Sequence, residues 1–204
     1  MIYLIITTCI ENKHGIQNND SRKNRYIDCI QQTLSLLKKQ NSSIIPIIVE
    51  NNGLRQTYLD VFDCDILYTN HNQKKNKYKG VNELLDIKEV ISQYHIQDDD
   101  MIIKLTGRYK LFDLSFVSLI ESNPNKHAFI KFFDVYSQQY KQDDCVLGLF
   151  AIKCKYLKEF NYNEKDTSER EFAKYINENV PFVMNVPDLS LECCLGDDLS
   201  IVCV

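Results

Sequence analysis

Four apolar runs, each separated from the next by a stretch of helical spacing, constrain this chain most. "IYLIITT" (2–8), "IIPIIV" (44–49), "CDILYT" (64–69) and "MIIKL" (101–105) have the length and Ile/Leu/Val content of strands in a largely buried sheet. Between the first two, "SRKNRYIDCIQQTLSLLKKQ" (21–40) brings Tyr26, Ile27, Ile30, Leu34 and Leu37 to one helical face. Ser21 is placed as its N-cap, and Lys38 and Lys39 stand at the end that favours positive charge. Residues 54–62 predict a short helix. "VNELLDIKEVISQY" (81–94) predicts a longer one, and "DLSFVSLIES" (113–122) a third, capped by Asp113. This alternation predicts an α/β chain with a mostly parallel central sheet and helices on both faces.

After residue 122 the alternation lapses. "AFIKFFDVYS" (128–137), "CVLGLFAIK" (145–153) and "PFVMNV" (181–186) read as strands, and 155–160 as a short helix. "SEREFAKYINEN" (168–179) reads as a helix opened by a Ser168–Glu171 capping box. "LSLECCLGDDLSIVCV" (189–204) reads as a hairpin, giving a mixed C-terminal part. With 204 residues, no internal repeat and no linker, the chain reads as a single domain, 1–204.

Composition removes several functions. The chain is 44% hydrophobic and 25% charged, as soluble globular proteins are. A net charge of −4 supplies no cationic surplus for nucleic acid. No run of about 18 apolar residues exists, so no membrane span is expected. The 8 cysteines form no C-x-x-C pair, and most lie in apolar runs. They read as buried thiols of a reducing compartment, which predicts the cytoplasm, or the host cytoplasm were the source viral. The histidines His14, His71, His95 and His127 form no H-x-x-x-H. G-x-S-x-G, the P-loop string and a G-x-G-x-x-G after the first run are also absent.

In open α/β sheets ligands lie outside the carboxyl ends of the parallel strands. That edge collects Thr7 and Thr8 from the first run, Glu50, Asn51, Asn52 and Gly53 from the second, and Thr106, Gly107, Arg108 and Tyr109 from the fourth. The polar segment "HNQKKNKYKGVNEL" opens there too, with Lys77, Lys79, Gly80 and Asn82. Asn and Thr suit ribose and base edges; Lys and Arg suit phosphate, Arg bidentately. Arg is scarce in the chain, which singles out Arg108. Gly80, at a helix start, would let backbone N–H groups approach phosphate. By the same edge rule the acidic strings Asp98–Asp100 and Asp63-Cys64-Asp65 stand at the wrong ends of their strands, and Asp197–Asp198 falls in a turn.

In this order the strings "TT", "ENNG", "N-x-x-x-G-V-N-E-L" and "K-L-T-G-R-Y" resemble the nucleotide-sugar-binding half of GT-A glycosyltransferases over residues 1–155. Asn76, Gly80 and Asn82 are similar to that family's helix motif. "IIKLTGRY" (102–109) occupies the place of its metal-binding D-x-D. The last string is similar to GT-A-like sequences met in polysaccharide assembly and in giant viruses.

The resemblance implies a Rossmann-like GT-A domain with a nucleotide-sugar half (1–110) and an acceptor or catalytic half (111–204). It implies transfer of a sugar from a UDP- or GDP-sugar to a glycan or other hydroxyl acceptor. Its donor site would comprise Thr7, Thr8, Glu50, Asn52, Lys79, Gly80, Asn82, Lys104, Thr106 and Arg108. Glu169 would be the base, with Asp134 the second candidate. Mn²⁺ or Mg²⁺ is the cofactor the resemblance implies, yet no D-x-D stands in the right place and no metal ligand is assigned. Arg108 and Lys104 are the substitutes for it. Two other readings stay open. One is a catalytically silent nucleotide-sugar-binding or structural module. The other is a nucleotidyltransferase, for which Gly15, Arg22, Lys23 and Arg25 would serve after the first strand. The apolar "LSIVCV" could pair two chains into a homodimer.

Overall fold

The structure, a computed structural model, describes residues 1–11, 20–74, 76, 78–195 and 199–204. The first half is the expected alternation: β1 (Ile2–Thr8), α1 (Asp20–Lys39), β2 (Ile45–Glu50), β3 (Asp65–Tyr68), α2 (Lys79–Gln93), β4 (Met101–Thr106). There follow β5 (Lys110–Leu111), α3 (Ser115–Ser122), β6 (Ala128–Ile130), β7 (Leu149–Lys153), α4 (Cys154–Glu159), α5 (Ser168–Asn179), β8 (Val183–Asn185), β9 (Leu191–Cys194) and β10 (Ile201–Cys203).

Seven strands form one sheet in the order β3-β2-β1-β4-β7-β6-β8. β3, β2, β1 and β4 run parallel, β7 is antiparallel to both β4 and β6, and β8 is parallel to β6. A small antiparallel sheet, β10-β9-β5, packs beside it.

Strand periodicity places the helices. Leu4 and Ile6 of β1, Ile48 of β2 and Ile103 and Leu105 of β4 join α1 and α3 in one core. The alternate residues Tyr3 and Ile5, Ile47 and Val49, and Ile102 join α2, α4 and α5 in the other. Successive side chains of a strand point to opposite faces, so a strand buried on both sides must be apolar throughout. β1 and β4 are apolar throughout except for Lys104 and their terminal threonines. Lys104 shares the parity of Ile102 and therefore points beneath α2.

Several local expectations need correction. Residues 54–62 yield only a 3-10 turn at Tyr58–Val61, capped by Thr57 and Asp60. α1 begins one residue before Ser21, which is therefore helical rather than a cap. Asp113 stands two residues before α3 and accepts from the Ser115 N–H at 2.8 Å. Strand structure ends at Ile130 in "AFIKFFDVYS" and starts only at Leu149 in "CVLGLFAIK". The Ser168–Glu171 box does not form. Thr167 caps α5 through the Arg170 N–H, and Glu171 instead accepts backbone N–H groups of residues 163 to 166. β9 and β10 pair as the expected hairpin, whose Asp197–Asp198 turn lies outside the described residues, as do Lys77, His14 and Gly15. All 8 cysteines are free. Among the described residues no helix is long and apolar enough to cross a membrane.

Candidate active site

Order in the sheet reverses at β1, which has β2 on one side and β4 on the other. Connections that leave such a pair in opposite directions open a crevice at its carboxyl end. The crevice is a cavity of about 900 Å³, within the range of small-molecule sites. The ends of β1 and β4 make its floor. The first turn of α2, the loops at 134–136 and 144–148 and the first turn of α5 line its sides. Arg22 and Tyr26 of α1 close one end.

The structure brings together Thr7, Thr8, Lys79, Gly80, Asn82, Lys104, Thr106, Arg108, Asp134 and Glu169 on that surface. Two expected donor-site residues are not on it. Glu50 is fully buried below the floor. Its carboxylate accepts from Thr8 Oγ1 at 2.8 Å, from the Ile10 N–H at 3.1 Å and from Arg55 at 3.5 Å. Asn52 likewise donates to Glu50 and accepts from Asn72. Both residues fasten the loops after β1 and β2, and Asn51 takes the cleft position instead. A second brace holds the neighbouring strand ends. Asp86 of α2, fully buried, accepts from Asn51 at 3.0 Å, Thr69 at 2.6 Å and His71 at 2.9 Å, and burial raises its pKa.

The acidic strings lie at the opposite edge, as the edge rule predicts. Asp100 holds the amino group of Met1, Asp98 pairs with Lys158 at 2.6 Å, and Asp99 lies 3.8 Å from Lys153 and Lys155.

At the end of β4 the cleft is cationic. Arg108 lies over the Tyr109 ring and donates through Nε to the Cys194 carbonyl at 2.7 Å. Burial alone would disfavour its charge, but Tyr26, Tyr109 and Glu83 outweigh burial and hold the guanidinium protonated. Lys104, only 2% exposed, donates to Thr106 Oγ1 at 2.6 Å and the Leu147 carbonyl at 2.7 Å, and pairs with Glu83 Oε2 at 2.7 Å. Tyr109 lies flat against Gly148, where a Cβ would meet the ring at 1.9 Å. At Gly80 a Cβ would meet Ser168 at 2.5 Å, so the first turns of α2 and α5 touch through a glycine. Asn76 donates to Asn82 at 2.6 Å and fixes the segment entering α2.

Part of the lining is acidic. Glu169, in the first turn of α5, is an exposed residue at the cleft. Burial, with the charges of Asp144 and Glu83, raises its pKa above that of an ordinary glutamate. Asp144, also in the lining, is raised by burial and by Asp134. Asp134 is lowered: burial acts upward, but the N–H groups of Ser137 and Tyr136 and the charge of Lys141 prevail. A base needs proton affinity near the working pH, which favours Glu169 over Asp134. Cys9 lines the cleft as a neutral thiol, pushed up to about 11 by burial and Glu50.

Among the charged lining residues, three were not expected in the donor site or as the base. Glu83 stood unremarked inside "GVNEL", Asp144 inside an acidic loop, and Arg22 was weighed only for a rival reading. The Lys104 parity, followed one turn into α2, could have located Glu83.

No family model matches the sequence, and no curated protein does. Solved structures resemble it in fold. A Desulfovibrio desulfuricans G20 protein assigned to the nucleotide-diphospho-sugar transferases superposes with TM-score 0.56 at 10% identity, over 92% of this chain and 80% of its own. This is a GT-A-type fold. A 4-diphosphocytidyl-2C-methyl-D-erythritol synthase shares the architecture at TM-score 0.52 and 12% identity, over 93% of this chain and 90% of the other. The galactosyltransferase LgtC, solved with donor and acceptor sugar analogs, does so at TM-score 0.51 and 9% identity, over 91% and 73%.

Within the GT-A fold a divalent metal would need carboxylates at the end of β4. The side chains that reach the cleft from there are Lys104, Thr106, Arg108 and Tyr109, and the nearby Glu83 is paired with Lys104. Among the described residues no three His, Cys, Asp or Glu side chains converge into a ligand set.

Proposed function

We propose that the cleft binds a nucleoside-diphosphate sugar and that the protein transfers the sugar to a hydroxyl acceptor without a metal. One observation carries this reading. At the switch point of a GT-A-type sheet a cavity of about 900 Å³ is lined both by the half-buried Arg108 and by Glu169, at the ends of β1 and β4. Arg108, with Arg22 and Lys79, would neutralise the diphosphate, an electrostatic task suited to preorganised cations in a partly dry site. Asn51, Thr8 and Asn82 supply hydrogen bonds for the nucleoside.

In the reaction the acceptor hydroxyl oxygen bonds to the anomeric carbon as the bond from that carbon to the diphosphate oxygen breaks. Glu169 takes the hydroxyl proton, and the leaving diphosphate keeps the electron pair beside Arg108. The raised pKa of Glu169 suits it to hold that proton.

Calorimetric titration of UDP- and GDP-sugars tests this, with and without EDTA. Saturable binding is expected in both conditions and should weaken by about 10²-fold in Arg108→Ala, the effect of losing a charged hydrogen-bond partner. Binding that appears only with Mn²⁺ sinks the metal-free reading, and no binding in either condition sinks the function.

A second reading has one observation in its favour. Arg22, from the segment after β1, lines the cleft, where a nucleotidyltransferase would need a cation for a triphosphate. Pyrophosphate release from a nucleoside triphosphate and a sugar phosphate would identify it.

A further inference from the structure

Glu83 is out of place in a site for an anion, and we infer that it reads the sugar of the donor. The inference rests on the nucleotide-sugar reading above and adds a residue that determines which sugar is accepted.

Lys104 has three N–H donors. Two are engaged, by Thr106 Oγ1 at 2.6 Å and the Leu147 carbonyl at 2.7 Å, and the ammonium forms an ion pair with Glu83 Oε2 at 2.7 Å. Three protein oxygens thus surround the ammonium, and the pair as a whole is neutral. Glu83 differs from its partner. Its side chain is 28% exposed, against 2% for Lys104, and it lines the cavity. Its Oε1 takes no hydrogen bond from the described residues.

The first turn of α2 therefore presents one carboxylate oxygen to the cleft, held by a buried cation and close enough to act on the charges of both Arg108 and Glu169. A diphosphate would be repelled by this oxygen. The part of the ligand that benefits from it is neutral and donates hydrogen bonds: the hydroxyls, or an amide or amine, of a sugar ring. Lys104 is then a positioning residue, which holds the carboxylate's orientation without touching the ligand.

The test compares UDP with UDP-glucose, UDP-galactose and UDP-N-acetylglucosamine, and GDP with GDP-mannose, on wild-type protein, Glu83→Gln, and the paired Glu83→Gln/Lys104→Met. The paired variant removes the buried cation that Glu83→Gln alone would strand. A thermal melt of each confirms that it folds. The expected result is that at least one sugar binds wild-type tighter than its parent diphosphate. That advantage should fall by about tenfold in both variants, the value of a hydrogen bond to a charged acceptor, while UDP and GDP bind no more weakly than to wild-type protein. An advantage that survives in a folded variant overturns the assignment. So does an equal loss for diphosphate and sugar, or wild-type affinities that do not distinguish them. Failure of wild-type protein to bind any diphosphate overturns instead the function on which it rests.

Discussion

At the scale of single residues, the site depends on contacts that tolerate little change. Gly80 is one. A methyl group there meets Ser168 at 2.5 Å, so Gly80→Ala must push the first turns of α2 and α5 apart. Overpacking of this kind costs about 1–3 kcal/mol, and a urea melt should show the loss together with weaker donor binding. Glu169 gives a pH signature. Its pKa is raised in the folded protein, so its ionisation opposes folding. Its contribution to stability is intact below the unfolded value and is lost as pH rises through the folded one. Over the same interval it becomes competent as a base. The transfer rate should climb with pH and inflect above the ordinary glutamate range. Glu169→Gln should abolish that inflection along with most of the rate; a profile unchanged in the variant would remove Glu169 from the mechanism.

Elements carry these residues to one place, and their boundaries explain what sequence reading could reach. The edge rule was legible. It puts Thr7, Thr106 and Arg108 at the cleft and Asp98–Asp100 at the far edge from the sequence alone. The fates of Glu50 and Asn52 were not legible. They stand at the correct strand end, yet their side chains turn down to brace loops, and nothing in "ENNG" distinguishes a polar group that faces ligand from one that satisfies backbone. Capping misled for a related reason. Thr167 and Ser168 are both competent caps, and burial of Ser168 against Gly80 leaves Thr167 as the one with access to the Arg170 N–H. Replacing Thr167 by Ala should cost about 1 kcal/mol, measurable by denaturation, whereas the same change at Ser168 should not show a capping loss.

On the scale of the whole molecule, ligand and fold are linked. A diphosphate sugar that binds only the folded chain should raise the melting temperature, since a hundredfold excess over Kd adds about 2.7 kcal/mol. EDTA should leave that gain unchanged, which can be checked by differential scanning fluorimetry without knowing the acceptor. The gain should also decline with salt, because cations meeting phosphate near a solvated rim are screened.

The antiparallel joint between β4 and β7 has a mechanical meaning. From Met101–Lys153 to Leu105–Leu149 the two strands are laced by one ladder, and the two halves of the chain that meet at the cleft share one sheet. A jaw needs a pivot, and this molecule has none between its walls. Substrate cannot be clasped by swinging halves together. Any gating would have to be done by the rim, for instance the exposed segment around Tyr136, moving over a bed that stays still.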